Sequence, residues 1–278
     1  MAAADARAGW HARLTLGFAR ADSRTRLVRR AHEGPLVVQK PLYPEGGDVC
    51  QCVVVHPPGG IAGGDCIDLG VNVETGAHAQ LTTPGATRWY RNPDCVATQR
   101  IVFRVEDGAV LEWIPQGTIV FDGAHATSDV RVELQGNARY IGWEIACLGR
   151  TESSEQFLRG RWRQRCDILR DGALIWSERM VLDGNSPWLA SPAGLNGAPV
   201  FGTFVAVASA FADETLVACR ALAPVTGEGA VTRLPGCLVA RYRGASSESA
   251  HNFFSAVWSV VRPQVAGRAA VDPRIWKT

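Results

Sequence analysis

The chain has 278 residues, of which 46% are hydrophobic and 20% charged, a composition typical of a globular protein with a large core. Its formal net charge of +2 is too small to indicate nucleic acid or an anionic membrane surface as a partner. The sequence lacks an apolar run of the roughly 18 residues that a bilayer-spanning helix requires.

The first predicted strand lies near the N-terminus, where Leu14, Leu16 and Phe18 recur at every second position. We expect no secretory signal, because this segment has no apolar run, and no transit peptide, because Asp5 and Asp22 interrupt its arginines. The eight cysteines form no CxxC pair. We therefore expect reduced thiols in a cytoplasmic protein.

Residues 56–91 contain two corners rich in proline and glycine, with a predicted strand between them. Apolar residues at every second position from 67 to 73 indicate a half-buried strand. The Pro-Pro-Gly-Gly sequence at 57–60 cannot continue a helix or a central strand, because proline lacks a donor and glycine accepts positive φ. We predict a fixed corner beside a strand, with Asp65 at its exit.

Two Asp-Gly pairs predict β-hairpins. The first pair is at residues 107–108 and the second at 171–172, and each separates two runs of strand-forming residues. If the second loop has two residues, Arg165 lies opposite Glu178 and the two form a cross-strand ion pair.

Two segments predict α-helices. Residues 213–222 follow the pattern of a helix with Asp213 as its N-cap. Residues 247–261 place apolar side chains at helical spacing, and we expect them to be core and Pro263 to end the helix. The other elements are strands without interleaved helices, which argues against a doubly wound α/β fold. We find no internal repeat and predict one mainly β domain over residues 1–278.

Catalytic signatures are missing from the sequence. The glycine-rich segment 59–64 does not match a phosphate-binding loop, because no lysine follows it and a strand rather than a helix comes next. There is no GxSxG motif, and no feature ties a serine or cysteine to a histidine. We predict that the protein is not an enzyme.

Cys50, Cys52 and His56 offer one candidate metal cluster, since alternate residues of a strand share a face and thiolates and imidazole suit borderline divalent ions. The opposing interpretation is that both cysteines are small buried hydrophobic residues. Three ligands along one strand are too spread to chelate an ion without help from other residues.

Several acidic residues lie within apolar strands or beside glycine turns, where an unpaired carboxylate is costly to bury. These residues are Asp65, Glu112, Asp122, Glu144 and Glu178. Each is expected to face water, to pair with an arginine or to line a wet internal path.

Five motifs, spread over nearly the whole chain and in the same order, resemble those of the urease accessory protein D family, also called UreD or UreH. Each motif is moderately specific, and all five together are highly specific. They are residues 34–46 (GPLVVQKPLYPEG), 56–65 (HPPGGIAGGD), 81–91 (LTTPGATRWYR), 111–116 (LEWIPQ) with 121–124 (FDGA), and Arg268 with 272–276 (DPRIW).

This resemblance implies a superhelical stack of β-strands and sheets with about two α-helices. It also implies a non-catalytic urease maturation factor, a nickel metallochaperone scaffold that binds the urease structural subunits and urease accessory protein F. Through accessory protein F it would contact the GTPase accessory protein G. No tightly bound cofactor is implied, and Ni²⁺ would bind only transiently.

The family is associated with an internal tunnel that leads toward the urease active site. By their positions in the motifs, the resemblance implies that Asp65, Thr87, Glu144 and Glu178 line this tunnel. The alternative is a pure docking module that holds the urease activation complex together and never contacts metal. Trp188, in the long predicted loop 183–199, would then be an exposed anchor.

Overall fold

A computed structural model describes residues 9–277, and the transit-peptide prediction falls partly on residues 1–8, outside that range. The described residues form 18 strands, two α-helices and three short 3₁₀ helices. The strands are β1 (His11–Ala21), β2 (Arg24–Glu33), β3 (Val37–Val38), β4 (Val49–Val55), β5 (Gly60–Ile61), β6 (Cys66–Val73), β7 (His78–Thr82), β8 (Thr87–Trp89), β9 (Ala97–Val105), β10 (Val110–Trp113), β11 (Thr118–Val120), β12 (His125–Leu134), β13 (Arg139–Leu148), β14 (Arg161–Arg170), β15 (Ala173–Asp183), β16 (Val200–Val207), β17 (Glu228–Leu234) and β18 (Cys237–Gly244). The helices are α1 (Asp213–Arg220) and α2 (Ser247–Ala266), with 3₁₀ helices at Thr151–Ser153, Pro187–Leu189 and Arg274–Lys277.

Two β-sheets face each other across the main hydrophobic core. The first sheet has seven strands in the order β15-β14-β12-β9-β6-β1-β2. The second follows the order β17-β18-β16-β13-β10-β7-β4-β3, with the short strands β5, β8 and β11 attached. In β6 every second residue from Ile67 to Val73 is buried, and Cys66 and Asp68 lie half-buried on the outer face. The half-buried strand predicted from the alternation is confirmed.

The central strands form successive coils of a parallel stack. Strands β6, β9, β12 and β14 pair in parallel in the first sheet. Strands β4, β7, β10 and β13 do the same in the second, and β5, β8 and β11 form a third, narrow face. The predicted mainly β, superhelical stack with two α-helices is confirmed. Its coils are a structural repeat, which the sequence analysis did not detect.

The hairpin predicted at Asp107 and Gly108 is wrong. The turn exists, since the Ala109 amide donates to the Glu106 carbonyl, but β9 before it lies in the first sheet and β10 after it lies in the second. Both strands carry apolar residues toward the same core, where the rings of Phe103 and Trp113 lie 5.6 Å apart. A corner between two sheets buries both sets of side chains, whereas a hairpin would place both strands in one layer.

The second predicted hairpin is confirmed as the antiparallel pair β14 and β15, but the predicted ion pair across it is wrong. A register irregularity between Ile168 and Leu169 places Arg179 opposite Arg165, and Glu178 opposite Cys166. The Arg165 guanidinium instead binds Asp167 on its own strand, with an Nε–Oδ2 distance of 2.7 Å.

The two α-helices cover the outer face of the second sheet and enclose a second apolar cluster there. Ala212, not Asp213, is the N-cap of α1, and Asp213 in the first turn pairs with Arg233. Helix α2 has the predicted buried apolar stripe, but it continues through Pro263 to Ala266. Proline removes only its own donor, and Gly267 ends the helix one turn later in the left-handed conformation. Within residues 9–277, no helix is long and apolar enough to cross a bilayer.

Candidate functional site: a polar path between the two sheets

A cavity of about 340 Å³ lies between the two sheets. Its walls are mainly apolar residues of the core strands, including Ile101 and Trp162 from the first sheet and Trp113 from the second. It reaches solvent at the loop formed by residues 83–88, whose Pro84 is exposed. A partly open cavity of this size with mainly apolar walls and a few polar groups has the character of a small-molecule site.

Thr87 and Glu144, two of the four residues that the resemblance predicts along a tunnel, both line this cavity. Thr87 belongs to the loop at the mouth, and His56 and Arg88 line the same cavity. The His56 Nδ1 atom is buried without a hydrogen-bond partner among the described residues, and burial lowers the pKa of its imidazole. A neutral imidazole with an unpaired nitrogen beside the mouth is a competent metal ligand.

Glu144 is the carboxylate at the inner end of the cavity. Its strand, β13, alternates between the two cores, and Glu144 shares the inner face with Tyr140 and Ala146. The Trp113 indole donates to Glu144 Oε1 at 3.1 Å. Burial raises the pKa of Glu144 to about 7, and this hydrogen bond offsets only part of the effect. The carboxyl group therefore changes its charge near neutral pH.

A second, much smaller cavity of about 20 Å³, room for about one water molecule, adjoins the first. Glu144 lines both cavities, and Glu178 lines the smaller one together with Cys166 and Thr203. Burial raises the pKa of the Cys166 thiol strongly, which keeps this thiol protonated at neutral pH.

The strand register explains why Glu144 and Glu178 come together. Glu144 pairs with Thr203 on β16, and Thr203 pairs with Arg241 on β18, so the three residues form a row across the second sheet. Glu178 reaches this row from β15, where it accepts hydrogen bonds from Thr203 Oγ1 at 3.1 Å and from Arg241 Nη1 at 2.6 Å. The Glu178 side chain is 9% exposed and that of Arg241 is 52% exposed, so the row leads from the interior to solvent.

Asp65 is not among the residues that line the cavity. Its carboxylate accepts hydrogen bonds from the backbone amides of Trp10 at 2.8 Å and Ala62 at 2.9 Å, and so fixes the corner that precedes β6. Asp122 has a similar role at the next corner, where it binds the backbone and side chain of Arg159. These two acids fix corners of the chain and line neither of the two cavities.

Cys50 and Cys52 share the inner face of β4 as predicted, but both are fully buried in the core. Within residues 9–277, they do not bring their ligand atoms and those of His56 within 4.8 Å of one another. A hydrogen bond with Cys50, together with burial, raises the pKa of the Cys52 thiol far above its ordinary value. The interpretation as small hydrophobic core residues therefore accounts for them, and the predicted metal cluster does not form.

Glu112 belongs to a separate buried ion cluster on the opposite face of the second sheet. Its carboxylate contacts His78 Nε2 at 2.7 Å, Trp258 Nε1 at 2.7 Å and Arg262 Nη2 at 3.0 Å. Arg262 also binds Glu45 at 2.7 Å. Burial alone would raise the pKa of Glu112, but the hydrogen bond from His78 and the charge of Arg262 outweigh it and hold the pKa at about 2. This cluster joins α2 to the sheet.

The two cavities together form what we call the polar path. Three further polar residues of this path were not predicted from the sequence, namely Gln99, Ser128 and Gln164. They occupy inward positions of β9, β12 and β14, and the first two line the larger cavity and the third the smaller one. The available signal was a polar residue at a position where the alternation calls for an apolar one.

Comparisons with known proteins agree with the resemblance seen in the motifs. The profile of the UreD urease accessory protein family matches residues 11–277. A urease accessory protein UreD from Dechloromonas aromatica is 51% identical over 97% of this chain and 95% of its own length. Those from Azoarcus sp. and Pseudomonas aeruginosa are each 48% identical, over 98% and 97% of this chain and 96% and 95% of their own lengths. These relatives are named as accessory proteins, in agreement with the prediction of a non-catalytic protein. With matches of this identity over nearly its whole length, the chain belongs to the UreD urease accessory protein family.

Proposed function

We propose that the protein is a urease maturation factor that conducts Ni²⁺ along the polar path between its two sheets. The observation that carries this proposal is the position of Glu144, a carboxylate bordering both cavities, with Glu178 beyond it. A second support is the name of the relatives, urease accessory protein UreD.

The chemistry of the path suits an ion in transit. Sites with several thiolate or imidazole ligands hold Ni²⁺ tightly, whereas isolated carboxylate and hydroxyl oxygens bind it weakly. Conduction requires binding that is favourable enough for entry and weak enough for exit. Glu144 and Glu178 supply carboxylates at separate points, and Ser128, Thr87 and Thr203 supply hydroxyls. Nickel is cargo in this proposal, and no tightly bound cofactor is required.

The proposed partners are the urease structural subunits in the apoenzyme, urease accessory protein F, and through it the GTPase accessory protein G, all in the cytoplasm. One end of the path lies at residues 83–88 and the other at the exposed Arg241. We propose that one end receives Ni²⁺ from the accessory proteins and the other releases it to urease.

Replacing Glu178 with leucine is expected to reduce nickel loading of urease while binding to accessory protein F persists. The change removes a carboxylate from the inner path and leaves the exposed surface almost unaltered, because this side chain is 9% exposed. The measurement is the nickel content and activity of urease activated by the complete set of accessory proteins.

The matched control for this experiment is Glu133→Leu, which removes an acid from the outer face of β12, where it pairs with Arg131. It is expected to leave nickel loading at the wild-type level. Normal loading with Glu178→Leu would refute the assignment of Glu178 to the path.

A second candidate function, docking without metal contact, is favoured by one observation. Trp188, in the loop after β15, is 56% exposed and so offers an aromatic surface to a partner. Exposed aromatic residues frequently anchor protein interfaces.

If Trp188 is an anchor for the urease complex, Trp188→Ala is expected to weaken co-purification with the urease subunits and accessory protein F by at least about tenfold, the cost of about 1.4 kcal/mol or more that an interface anchor typically carries. The control is Trp10→Ala, since Trp10 is similarly exposed, at 61%, but precedes β1, which lies four strands from β14 in the first sheet. Equilibrium dialysis with Ni²⁺ on the wild type and on Glu144→Gln then separates the two functions, because only a conducting path loses bound Ni²⁺ when this carboxylate is removed.

A further inference from the structure

A second group of metal-ligating side chains lies on the outer face of the first sheet, away from the path. Strands β1 and β6 pair in parallel there, with His11 beside Cys66 and Arg13 beside Asp68. Because Ile67 and Leu69 of β6 point into the core, Cys66 and Asp68 point outward. The register thus brings one imidazole, one thiol and one carboxylate to a single patch.

The ligand atoms of this patch are close enough to share an ion. His11 Nε2, Cys66 Sγ and a carboxylate oxygen of Asp68 all lie within 4.8 Å of one another, and the His11 Nε2–Asp68 Oδ2 distance is 2.8 Å. Ligands of a tetrahedral Zn²⁺ at 2.0–2.3 Å are about 3.5 Å apart. Small side-chain rotations therefore suffice to close the set, and within residues 9–277 it is the one such group of three.

We propose that His11, Cys66 and Asp68 form a surface site for a borderline divalent cation, with water as the remaining ligand. Imidazole and thiolate select Zn²⁺, Co²⁺ or Ni²⁺ over Mg²⁺ and Ca²⁺, which prefer oxygen ligands. Three protein ligands with an open position leave the ion exchangeable, unlike a closed four-ligand structural site.

The neighbouring charges limit the affinity of the site but leave its ligands available. Arg13 lies 3.7 Å from Asp68, and Arg100 of β9 is the register partner of Asp68. An exposed guanidinium held by one surface ion pair turns to solvent at little cost. Burial and Asp68 raise the pKa of the Cys66 thiol and the two arginines offset this only in part, so a bound cation has to displace the thiol proton.

The site is independent of the polar path. Its three side chains point to solvent from the first sheet, whereas the path runs on the inner face of the same sheet. It also joins two strands that are far apart in sequence. The hydrogen bond between Trp10 and Asp65, just before these strands, already links residues 55 positions apart. A bound ion would therefore fasten the start of β1 to β6.

The test is a Co²⁺ titration of the full-length protein, followed by thiolate-to-cobalt charge-transfer absorbance in the near ultraviolet. We expect one saturable site per chain with this absorbance, and its loss in Cys66→Ser. His11→Ala and Asp68→Asn are expected to weaken binding by at least about tenfold, since loss of a ligand costs no less than loss of a supporting group. Competition with Zn²⁺ and Ni²⁺ then ranks the ions.

The matched control is Cys95→Ser, because Cys95 is also half-buried but belongs to no such group. It is expected to keep the absorbance and the affinity. Retention of the thiolate absorbance in Cys66→Ser, or the lack of a saturable site in the wild type, would overturn the proposal. Glu144→Gln is expected to leave the signal unchanged, so failure of the path and failure of this site are distinguishable.

Discussion

Replacing Arg262 with methionine is expected to destabilise the protein by about 3–5 kcal/mol, the cost of leaving buried charges without their partner. Arg262 is fully buried and neutralises Glu112 and Glu45 at 3.0 Å and 2.7 Å. Methionine keeps much of the volume in α2 but supplies no charge or donor. The measurement is the free energy of unfolding in urea at pH 7.

The pH dependence of unfolding provides an independent check on this cluster. Because the pKa of Glu112 falls from 4.5 to about 2 on folding, its ionised form stabilises the native state at all pH values above about 4.5. That stabilisation is lost as the pH falls from about 4.5 to about 2, and Arg262→Met is expected to flatten this part of the profile.

Arg161→Met is the matched control for Arg262→Met. Arg161 binds Asp183 at 2.6 Å in a similar geometry, but both side chains are largely exposed. Water and salt screen an exposed pair, so the control is expected to unfold close to the wild type. Equal destabilisation by the two substitutions would mean that burial of the ion cluster does not matter for stability.

Burial also explains which parts of the fold can be predicted from the local sequence pattern. The alternation in β6 identified its inner face, because only one face of the first sheet is buried. The second sheet has cores on both faces, and all four residues of β10 are buried. Glu112 and Glu144 therefore look alike in sequence, although one faces the helices and the other the path.

The coiled arrangement of the strands is not visible in the sequence either, because successive coils differ in length. Arg100 pairs with Asp68 of the preceding coil and with Asp129 of the following one, which lie 32 residues before it and 29 residues after it. Coils of unequal length with different residues at their corners produce no visible sequence repeat. An Asp-Gly turn has the same local chemistry at a corner as in a hairpin. The sequence at residues 107–108 therefore predicts a hairpin where the structure has a corner.

Partners distant in sequence were equally beyond prediction. Arg241 is 63 residues from Glu178, and its position follows from the pairing of β18 with β16. By contrast, the motif at residues 81–91 that contains Thr87 is local, and Thr87 lines the cavity.

Glu144→Gln is expected to lower nickel loading of urease by about tenfold or more, within the range of 10–100-fold that changes around metal sites typically cause. Glutamine keeps the size of the side chain and an oxygen that can accept from Trp113, but it removes the only charge shown at the junction of the two cavities among the described residues. The measurement is again nickel content and activity of urease after activation.

The same substitution is expected to stabilise the protein at alkaline pH, which separates a functional role from a structural one. Folding raises the pKa of Glu144 from 4.5 to about 7, so native-state stability falls as the pH rises through this range. At pH 8 the wild type carries a penalty of about 3 kcal/mol that Glu144→Gln lacks, while at pH 4.5 the two unfold alike. A carboxylate kept for stability would give the opposite result.

Glu74→Gln, on an exposed turn, is the control for both measurements, and neither nickel loading nor the pH profile is expected to change. Full nickel loading by Glu144→Gln would exclude a role of this carboxylate in conduction. If the variant were less stable than the wild type at pH 8, the ionised Glu144 side chain would not destabilise the native state. If Glu144→Gln loses nickel loading but gains stability, the wild type keeps a carboxylate that destabilises its own fold. This combination is expected of a residue that is retained for ion conduction and not for stability.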